Sequence, residues 1–259
     1  MGKSKGIDFM NKTDINVELI DYMGSDRAIE QAARVSFHTN LDEERTEKQT
    51  TQLLRYLMWH RHTSPFEMAE LKFKITVPMY IGEQILRHRT ASINKISRRY
   101  SNEDISFFDF ELRRADDSTT KQGSGEVIDK DSELYDFVVA SHYDQKKVYD
   151  TLIESGVANE VARGVLGANL MTTFVWKIDL HNLMHFLKLR LNQHAQKEIQ
   201  EVASMIYQIV KPLFPITIQA FDDWRMLSDE FMDVFYQFFK TGNTADGMME
   251  LHRVETDYR

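Results

Sequence analysis

The chain has no cysteine among its 259 residues and only four prolines. The missing cysteine excludes disulfide bonds, thiolate metal ligands and a cysteine nucleophile, and it fits a reducing compartment. Long apolar runs are missing as well, since no stretch approaches the roughly 18 apolar residues that a spanning helix needs. No such run follows residues 1–6, where a signal peptide would carry one. We therefore expect a cytoplasmic protein that has no membrane partner.

Positive charge is in the minority. The chain has 32 Lys and Arg residues against 40 Asp and Glu residues, which gives a formal net charge of −8. Binding to the nucleic-acid backbone depends on many Lys and Arg contacts, so we expect no nucleic-acid partner. A hydrophobic fraction of 42% in a chain of this length allows a sizeable core. No repeat or linker interrupts the chain, so we predict a single domain over residues 1–259.

One basic segment, residues 87–99, contrasts with this acidic balance. It holds five positive charges, two serines, an asparagine and a histidine within thirteen residues. Arg offers a planar fork of donors that fits phosphate or carboxylate, and Ser and Asn add short directional donors. The chain has no glycine-rich phosphate loop, so side chains would have to hold a phosphorylated ligand. The segment therefore predicts a site for a small anion, and the alternative is a solvated basic face.

Hydrophobic periodicity predicts an α+β fold in which helices pack against a central, mostly antiparallel sheet. Alternation is clearest over residues 69–77, and residues 15–22 and 170–178 are weaker strand candidates. Helical spacing or capping signals cover residues 25–35, 46–62, 79–89, 134–154, 161–166, 180–191 and 194–213.

Local signals also predict where some of these elements end. Pro65 is expected to stop the second helix, and the basic segment is expected to leave its helix as a loop. Ile93 and Ile96 are three residues apart, which predicts one packed side for that segment. The polar and glycine-rich composition of residues 113–133 predicts a surface excursion that could contain a small hairpin. Residues 222–259 form a tail of aromatic and acidic residues.

Histidine and serine patterns leave some alternatives open. His181 and His185 have metal-ligand spacing on a helix, but no Glu of a His-Glu-x-x-His motif and no Cys accompany them, so we expect no metal site. His60 and His62 cannot share a helix face, so at most one of them is expected to reach a site. Ser97 has no recognisable His–Asp pair to activate it, so we interpret it as a hydrogen-bonding residue.

The sequence Arg87-His88-Arg89, followed after seven residues by Ser97, resembles the signature of the flavin-dependent thymidylate synthases. Ser92, Asn94 and Arg99 fit the fuller form of that signature. The segments that are similar to other parts of the family are 32–36, 62–67, 160–163 and 187–196. The resemblance therefore spans about residues 15–220.

This resemblance implies reductive methylation of dUMP to dTMP. It implies 5,10-methylenetetrahydrofolate as carbon donor, FAD as hydride carrier and NADPH as reductant. It also implies a homotetramer with active sites assembled from several subunits. Two alternatives stay open on the residues themselves: another flavoenzyme acting on a nucleotide, or a non-catalytic nucleic-acid-binding module.

The resemblance implies residue roles as well. Arg190 is the expected catalytic residue, which would polarise the uracil and help to ionise N3. The residues expected at the flavin are His62, Ser64, Arg87, His88, Arg89, Lys95, Asp179, Leu180, His181 and His185. The residues expected at dUMP are Gln84, Ile85, Leu86, Arg87, Lys95, Ile96, Ser97, Arg98, Arg99, Arg163 and Arg190. Lys95 departs from the family, which carries an acid at this position.

Overall fold

The computed structural model describes residues 14–37, 45–101, 105–115 and 123–224. The predicted tail beyond residue 224 and the centre of the predicted excursion, residues 116–122, lie outside the described residues. Within the described residues, the α-helices are α1 (Asp26–Arg34), α2 (Glu47–Trp59), α3 (Ser64–Glu67), α4 (Met79–Ile85), α5 (Glu133–Glu154), α6 (Asn159–Ala162), α7 (Leu180–Arg190) and α8 (Lys197–Val210). The strands are β1 (Asn16–Met23), β2 (Glu70–Pro78), β3 (Ala91–Lys95), β4 (Arg113–Ala115), β5 (Ser124–Val127) and β6 (Met171–Asp179).

Four of these strands form an antiparallel sheet in the order β1-β2-β6-β3, which confirms the predicted α+β class. In β2 the apolar residues occupy alternate positions, and Leu71, Phe73 and Ile75 are fully buried. Phe73 packs against Trp176 of β6, with ring centroids 6.3 Å apart. Alternate side chains of a strand face the same side, so these residues form the covered face of the sheet.

The chain divides into two compact units, each built from separate segments. The first comprises Met1–Asp21, Leu71–Ile178 and Leu189–Ile206, and the second comprises Tyr22–Glu70, Asp179–Lys188 and Tyr207–Arg259. The first unit contains the basic segment, and the second contains helices α1 to α3. The extent of a single domain over residues 1–259 stays a prediction. Within the described part of the chain, no helix is both long and apolar enough to cross a membrane.

The basic segment does not leave its helix as a loop, so that prediction was wrong. Helix α4 ends at Ile85, and after a short turn Ala91–Lys95 form β3, which pairs antiparallel with β6. The backbone N–H of Ile96 extends the pairing by donating to the carbonyl of Thr173 at 2.9 Å. A short strand of polar residues is stabilised by its partner, which lies far along the chain, so local spacing did not reveal it.

Two helix boundaries also differ from prediction. Pro65 does not stop α2, because α2 already ends at Trp59 and Pro65 lies in the first turn of α3. A proline at that position loses no helical hydrogen bond, since the first N–H groups of a helix have no partner within it. Helix α8 begins at Lys197, later than the predicted start at residue 194. A capping box of Thr46 and Gln49 begins α2, within the predicted range 46–62.

The predicted excursion contains a two-stranded antiparallel sheet of β4 and β5. Arg113 of β4 holds this small sheet, because its Nε donates to Ser124 Oγ at 2.8 Å. Its Nη2 also donates to a carboxylate oxygen of Glu198 in α8, which is buried. A charge-assisted contact of this kind is stronger than a neutral hydrogen bond. The excursion is therefore fastened to α8 at one end.

Asp26 ties two parts of the second unit together. Ser25 caps α1, because its Oγ accepts from the N–H of Ala28 at 3.1 Å. The Asp26 carboxylate is buried and accepts from the N–H of Ile216 and from both the N–H and the hydroxyl of Thr217, at 2.8, 3.0 and 2.6 Å. These bonds satisfy N–H groups at the start of the helical residues 215–224, which have no acceptor within that helix.

Replacing Asp26 by alanine should lower the free energy of unfolding by about 3 kcal/mol, because three donors, two of them buried, would lose their charged acceptor. Urea unfolding followed by circular dichroism measures this change. Asp144→Ala serves as the control, since Asp144 is exposed on α5 and surface substitutions cost roughly 0.5 kcal/mol or less. Equal stability of the two variants would contradict the assigned role of Asp26.

Candidate functional site

The pairing of β3 with β6 shows which side chains of residues 91–95 lie on each face of the sheet. Ile93 lies opposite Trp176 and Lys95 lies opposite Phe174. Opposed residues share a face, and both aromatic partners are buried, so Lys95 lies on the core side of the edge strand. Burial lowers the pKa of the Lys95 ammonium, and the Glu83 carboxylate partly opposes that shift.

Ser92 and Asn94 lie on the other face of β3. They face Lys177 and Val175 of β6 across the pairing, and both are exposed. The expected packed side of this segment was wrong, because Ile93 and Ile96 are 38% and 41% exposed. In extended chain, residues an odd number apart point to opposite faces, so the spacing of three that suits a helix does not make one apolar side here.

Arg190 contacts the signature segment within the first unit. It is the last residue of α7, and its Nε donates to His88 Nε2 at 3.4 Å. Its Nη2 donates to the main-chain carbonyl of Gln84 at 3.5 Å. His88 is buried, and its Nε2 accepts this hydrogen bond. Burial lowers the pKa of the Arg190 guanidinium, yet an arginine this basic stays charged at neutral pH.

Gln196 is a contact residue that the sequence analysis did not place in the site. The side-chain amide of Gln84 donates to Gln196 Oε1 at 2.7 Å. Gln196 precedes α8 and ends the segment 187–196, so the family resemblance carried a signal for it. The first unit thus brings Gln84, His88, Arg190 and Gln196 together from two separate segments of the chain.

Ser97 organises the far end of the basic segment. Its Oγ accepts from the backbone N–H and from Nε of Arg99, both at 3.4 Å. The Arg99 guanidinium lies 5.1 Å from the centroid of the Tyr100 ring. The Ser97 hydroxyl therefore lies beside a cation, which suits a role in holding an anion.

The first unit also carries exposed cations. Arg87, Arg89 and Arg163 are exposed, and Arg163 Nε donates to the carbonyl of Glu160 at 3.3 Å. The remaining residues expected at dUMP are Ile85, which is fully buried, and Leu86 and Arg98, which are half-buried. A contact from Ile85 would therefore come from its main chain. The exposed guanidinium groups are available to bind an anion.

The other residues expected at the flavin belong to the second unit. Asp179 caps α7, because its Oδ1 accepts from the N–H of Asn182 at 2.9 Å. Leu180 is fully buried, and its N–H donates to the carbonyl of Ala69 at 2.8 Å. Of the remaining residues expected at the flavin, His181 is half-buried. The side chains of His62, Ser64 and His185 are exposed.

His60 and His62 lie close together, although the sequence analysis separated them. That argument assumed one continuous helix, but α2 ends at Trp59 and the chain turns after it. Both imidazoles adjoin the ring of Tyr56, with centroids 4.3 Å away for His60 and 5.9 Å away for His62. The three rings form an exposed aromatic cluster.

Lys95 should titrate below the ordinary range of lysine, because its burial disfavours the charged ammonium. Competitive labelling with acetic anhydride over a pH series, read by mass spectrometry, gives the midpoint for this side chain. The unfolded chain binds the Lys95 proton more tightly, so this residue costs stability below its folded pKa, and that cost disappears as pH rises. A midpoint at or above the ordinary value would contradict the assigned burial.

Comparison with known proteins finds similarity to thymidylate synthases. A family model described as thymidylate synthase complementing protein matches residues 18–216. A flavin-dependent thymidylate synthase from Wolbachia pipientis is 42% identical over 219 residues, which cover 82% of this chain and 75% of that protein. One from Thermus thermophilus is 46% identical over 208 residues, which cover 80% of this chain and 75% of that protein.

Solved structures share the fold as well. A UMP/dUMP methylase, PolB from Streptomyces cacaoi, was solved bound with 5-Br dUMP. It matches with a TM-score of 0.75 and 32% sequence identity, covering 82% of this chain and 96% of that chain. The same enzyme bound with 5-Br UMP matches with a TM-score of 0.72.

Proposed function

Because this chain belongs to the flavin-dependent thymidylate synthase family, we propose that it methylates dUMP to dTMP with the help of a bound flavin. The observation that carries this proposal is the contact of Arg190 with His88 and Gln84. It places one charged guanidinium beside the signature segment. The solved relative with a dUMP analogue supports a nucleotide substrate.

The described residues fit a flavin by the chemistry of their side chains. Arg87 and Arg89 are exposed cations that suit a pyrophosphate, and the buried His88 separates them in sequence. From the first unit we assign Arg87, His88, Arg89 and Lys95 to FAD. From the second unit we assign His62, Ser64, Asp179, Leu180, His181 and His185. Bound FAD would supply the hydride chemistry that no side chain provides.

Arg190 is assigned to the uracil ring of dUMP. A guanidinium stays positive while negative charge develops on the pyrimidine, so it can polarise a uracil carbonyl and favour ionisation at N3. Its contacts to His88 Nε2 and to the Gln84 carbonyl fix its orientation. Gln196 holds the Gln84 side chain in turn, which makes Gln196 a positioning residue.

The phosphate of dUMP is assigned to the exposed cations of the first unit. Arg99 and Ser97 form a hydrogen-bonded pair, and Arg163 is exposed on a separate segment. Together they offer charge and directional donors, which phosphate recognition needs. The other residues assigned to dUMP are Gln84, Ile85, Leu86, Arg87, Lys95, Ile96 and Arg98.

The absence of cysteine from the chain constrains how the pyrimidine is activated. A thiolate adduct at C6 of dUMP cannot form on this chain. The activation must come from other groups, and Arg190 is the charged residue best placed for it. Ser97 is assigned to nucleotide binding, because its described contacts are to Arg99 and not to a His–Asp pair.

The co-reactants and the assembly complete the proposal. We assign 5,10-methylenetetrahydrofolate as the carbon donor and NADPH as the reductant, as the family resemblance implies. We also propose a homotetramer with shared active sites. Leu134, Phe137 and Val148 of α5 support an assembly, because they are 49%, 69% and 47% exposed and large apolar groups tend to be covered at interfaces.

The purified protein should be yellow, or become yellow with added FAD, and should convert dUMP to dTMP when all co-reactants are present. Chromatography of the product measures this, and each reaction that omits one co-reactant is a control. Light scattering should give four times the 30.4 kDa chain mass. A protein that takes up no flavin, or binds oligonucleotides with a steep salt dependence, would overturn the assignment. If a nucleotide other than dUMP changed the flavin absorbance spectrum and dUMP did not, the result would favour the alternative that the chain is another nucleotide-acting flavoenzyme.

Substitutions at Ser97 and Arg190 should separate binding from chemistry. Ser97→Ala should weaken dUMP binding by roughly 1.5–3 kcal/mol, the range for a hydrogen bond to a charged group, and keep measurable turnover at saturating dUMP. Arg190→Ala should lose far more turnover and still bind FAD. Steady-state kinetics and calorimetry measure both effects. Normal dUMP binding with no turnover in Ser97→Ala, or a Ser97–nucleotide adduct in mass spectrometry, would reverse the two roles.

A further inference from the structure

The first turn of helix α8 contains a buried carboxylate. Glu198 is 5% exposed, and its Oε1 accepts from Nη2 of Arg113 at 2.5 Å. Its other oxygen, Oε2, has no hydrogen-bond partner among the described residues. A buried carboxylate is stable only when an opposite charge and hydrogen bonds replace the hydration that it loses. Arg113 therefore determines where Glu198, and with it the first turn of α8, can lie.

Gln196 is fixed to this turn by main-chain hydrogen bonds. Its carbonyl accepts from the N–H of Ile199 at 3.1 Å and from the N–H of Gln200 at 3.0 Å. The side-chain oxygen of Gln196 in turn accepts from the amide of Gln84 at 2.7 Å. Gln84 is assigned to dUMP, and its carbonyl accepts from Arg190. A displacement of the first turn of α8 would therefore move the partner that holds the Gln84 side chain.

Tyr80 provides a second point at which α4 faces the start of α8. Tyr80 and Gln84 are four residues apart in α4, so they lie on the same face of that helix. Burial raises the pKa of the Tyr80 hydroxyl, the charge of Glu198 raises it further, and the charge of Arg113 opposes the rise. Such effects weaken with distance, so Tyr80 lies near both charges. One face of α4 thus adjoins Glu198 through Tyr80 and Gln196 through Gln84.

We propose that Arg113 is a positioning residue for the binding of dUMP. It acts through Glu198, which it holds at the start of α8, and then through the contact of Gln196 with Gln84. The inference rests on the proposed function, in which Gln84 binds dUMP. It gives the excursion a role at the site, because Arg113 belongs to β4 and its Nε also donates to Ser124 of β5.

The first test is isothermal titration of the flavin-loaded protein with dUMP. Arg113→Ala should weaken dUMP binding about fivefold, the order of one lost hydrogen bond, and should keep the bound flavin. Arg114→Ala is the matched control, because Arg114 is the adjacent arginine of β4 and is exposed. It should leave the affinity unchanged. Unchanged affinity in Arg113→Ala, or an equal loss in both variants, would overturn the proposal.

A double-mutant cycle tests whether Arg113 acts through Gln196. Gln196→Ala removes the contact with Gln84 directly and should also weaken dUMP binding about fivefold. Because both substitutions act on Gln84, the double variant should lose about fivefold, whereas independent effects would multiply to about 25-fold. Arg163→Ala should multiply with Arg113→Ala, since the described side-chain contact of Arg163 is to the Glu160 carbonyl. A multiplicative loss for Arg113 and Gln196 would contradict the assigned route.

Two conservative variants separate positioning from a loss of fold. Arg113→Lys keeps a positive charge beside Glu198 and should recover most of the dUMP affinity. Glu198→Gln keeps the shape of the side chain and removes its charge, so it should fold and bind dUMP more weakly. In steady-state assays the weakened variants should raise the KM for dUMP and keep kcat within about twofold. If Arg113→Ala did not fold, normal dUMP affinity in Glu198→Gln would be enough to reject the proposal.

Hydrogen exchange of the full chain without dUMP gives a readout that needs no activity. Arg113→Ala should speed amide exchange at the end of α4, where the N–H of Leu86 donates to the carbonyl of Gly82 at 3.0 Å, and Arg114→Ala should not. If the wild-type protein formed no dTMP, the proposed function would fail, and the exchange rates would still decide the link between Arg113 and α4. If the wild-type protein formed dTMP and Arg113→Ala changed neither exchange nor dUMP affinity, this inference alone would fail.

Discussion

The antiparallel pairing of β3 with β6 is the constraint on which the candidate site depends. Five positive charges in thirteen residues repel one another, so the segment has no local reason to adopt one conformation. Backbone hydrogen bonds to β6 supply that reason, and they continue past the strand through Ile96 and Thr173. The pairing also separates the polar side chains, because Ser92 and Asn94 lie on one face and Lys95 lies on the other.

Two hydrogen bonds hold the guanidinium of Arg190 in one orientation. A long arginine loses considerable rotamer freedom when it is held, so one hydrogen bond would fix it poorly. His88 and the Gln84 carbonyl hold two different nitrogens, and Gln196 holds the Gln84 side chain. The charge is thereby oriented before a ligand arrives, which is the condition for electrostatic stabilisation of a developing anion.

Lys95 and Arg61 depart from ordinary local preferences in the described part of the chain, and Lys95 is one of the residues assigned to ligands. Lys95 lies half-buried beside Phe174, where desolvation lowers its pKa. Arg61 occupies a position where glycine would be favoured. Sequences that fold well are locally consistent, and departures concentrate where function requires a particular group. Each departure costs stability, which contacts such as the buried carboxylate of Asp26 help to supply.

The class of fold and the type of chemistry follow from local signals in the amino-acid sequence. Alternation placed β2, β-branched and aromatic residues indicated β6, capping signals placed α2 and α7, and a set of specified polar residues between 87 and 99 indicated the family. These signals are local, because a side chain's period and a helix cap depend on neighbours in the chain. The tertiary structure decided that 91–95 is a strand, that Gln196 contacts Gln84, and that His60 and His62 share one cluster. Those features depend on partners distant in sequence or on one backbone turn, and hydrophobic periodicity carries no information about either.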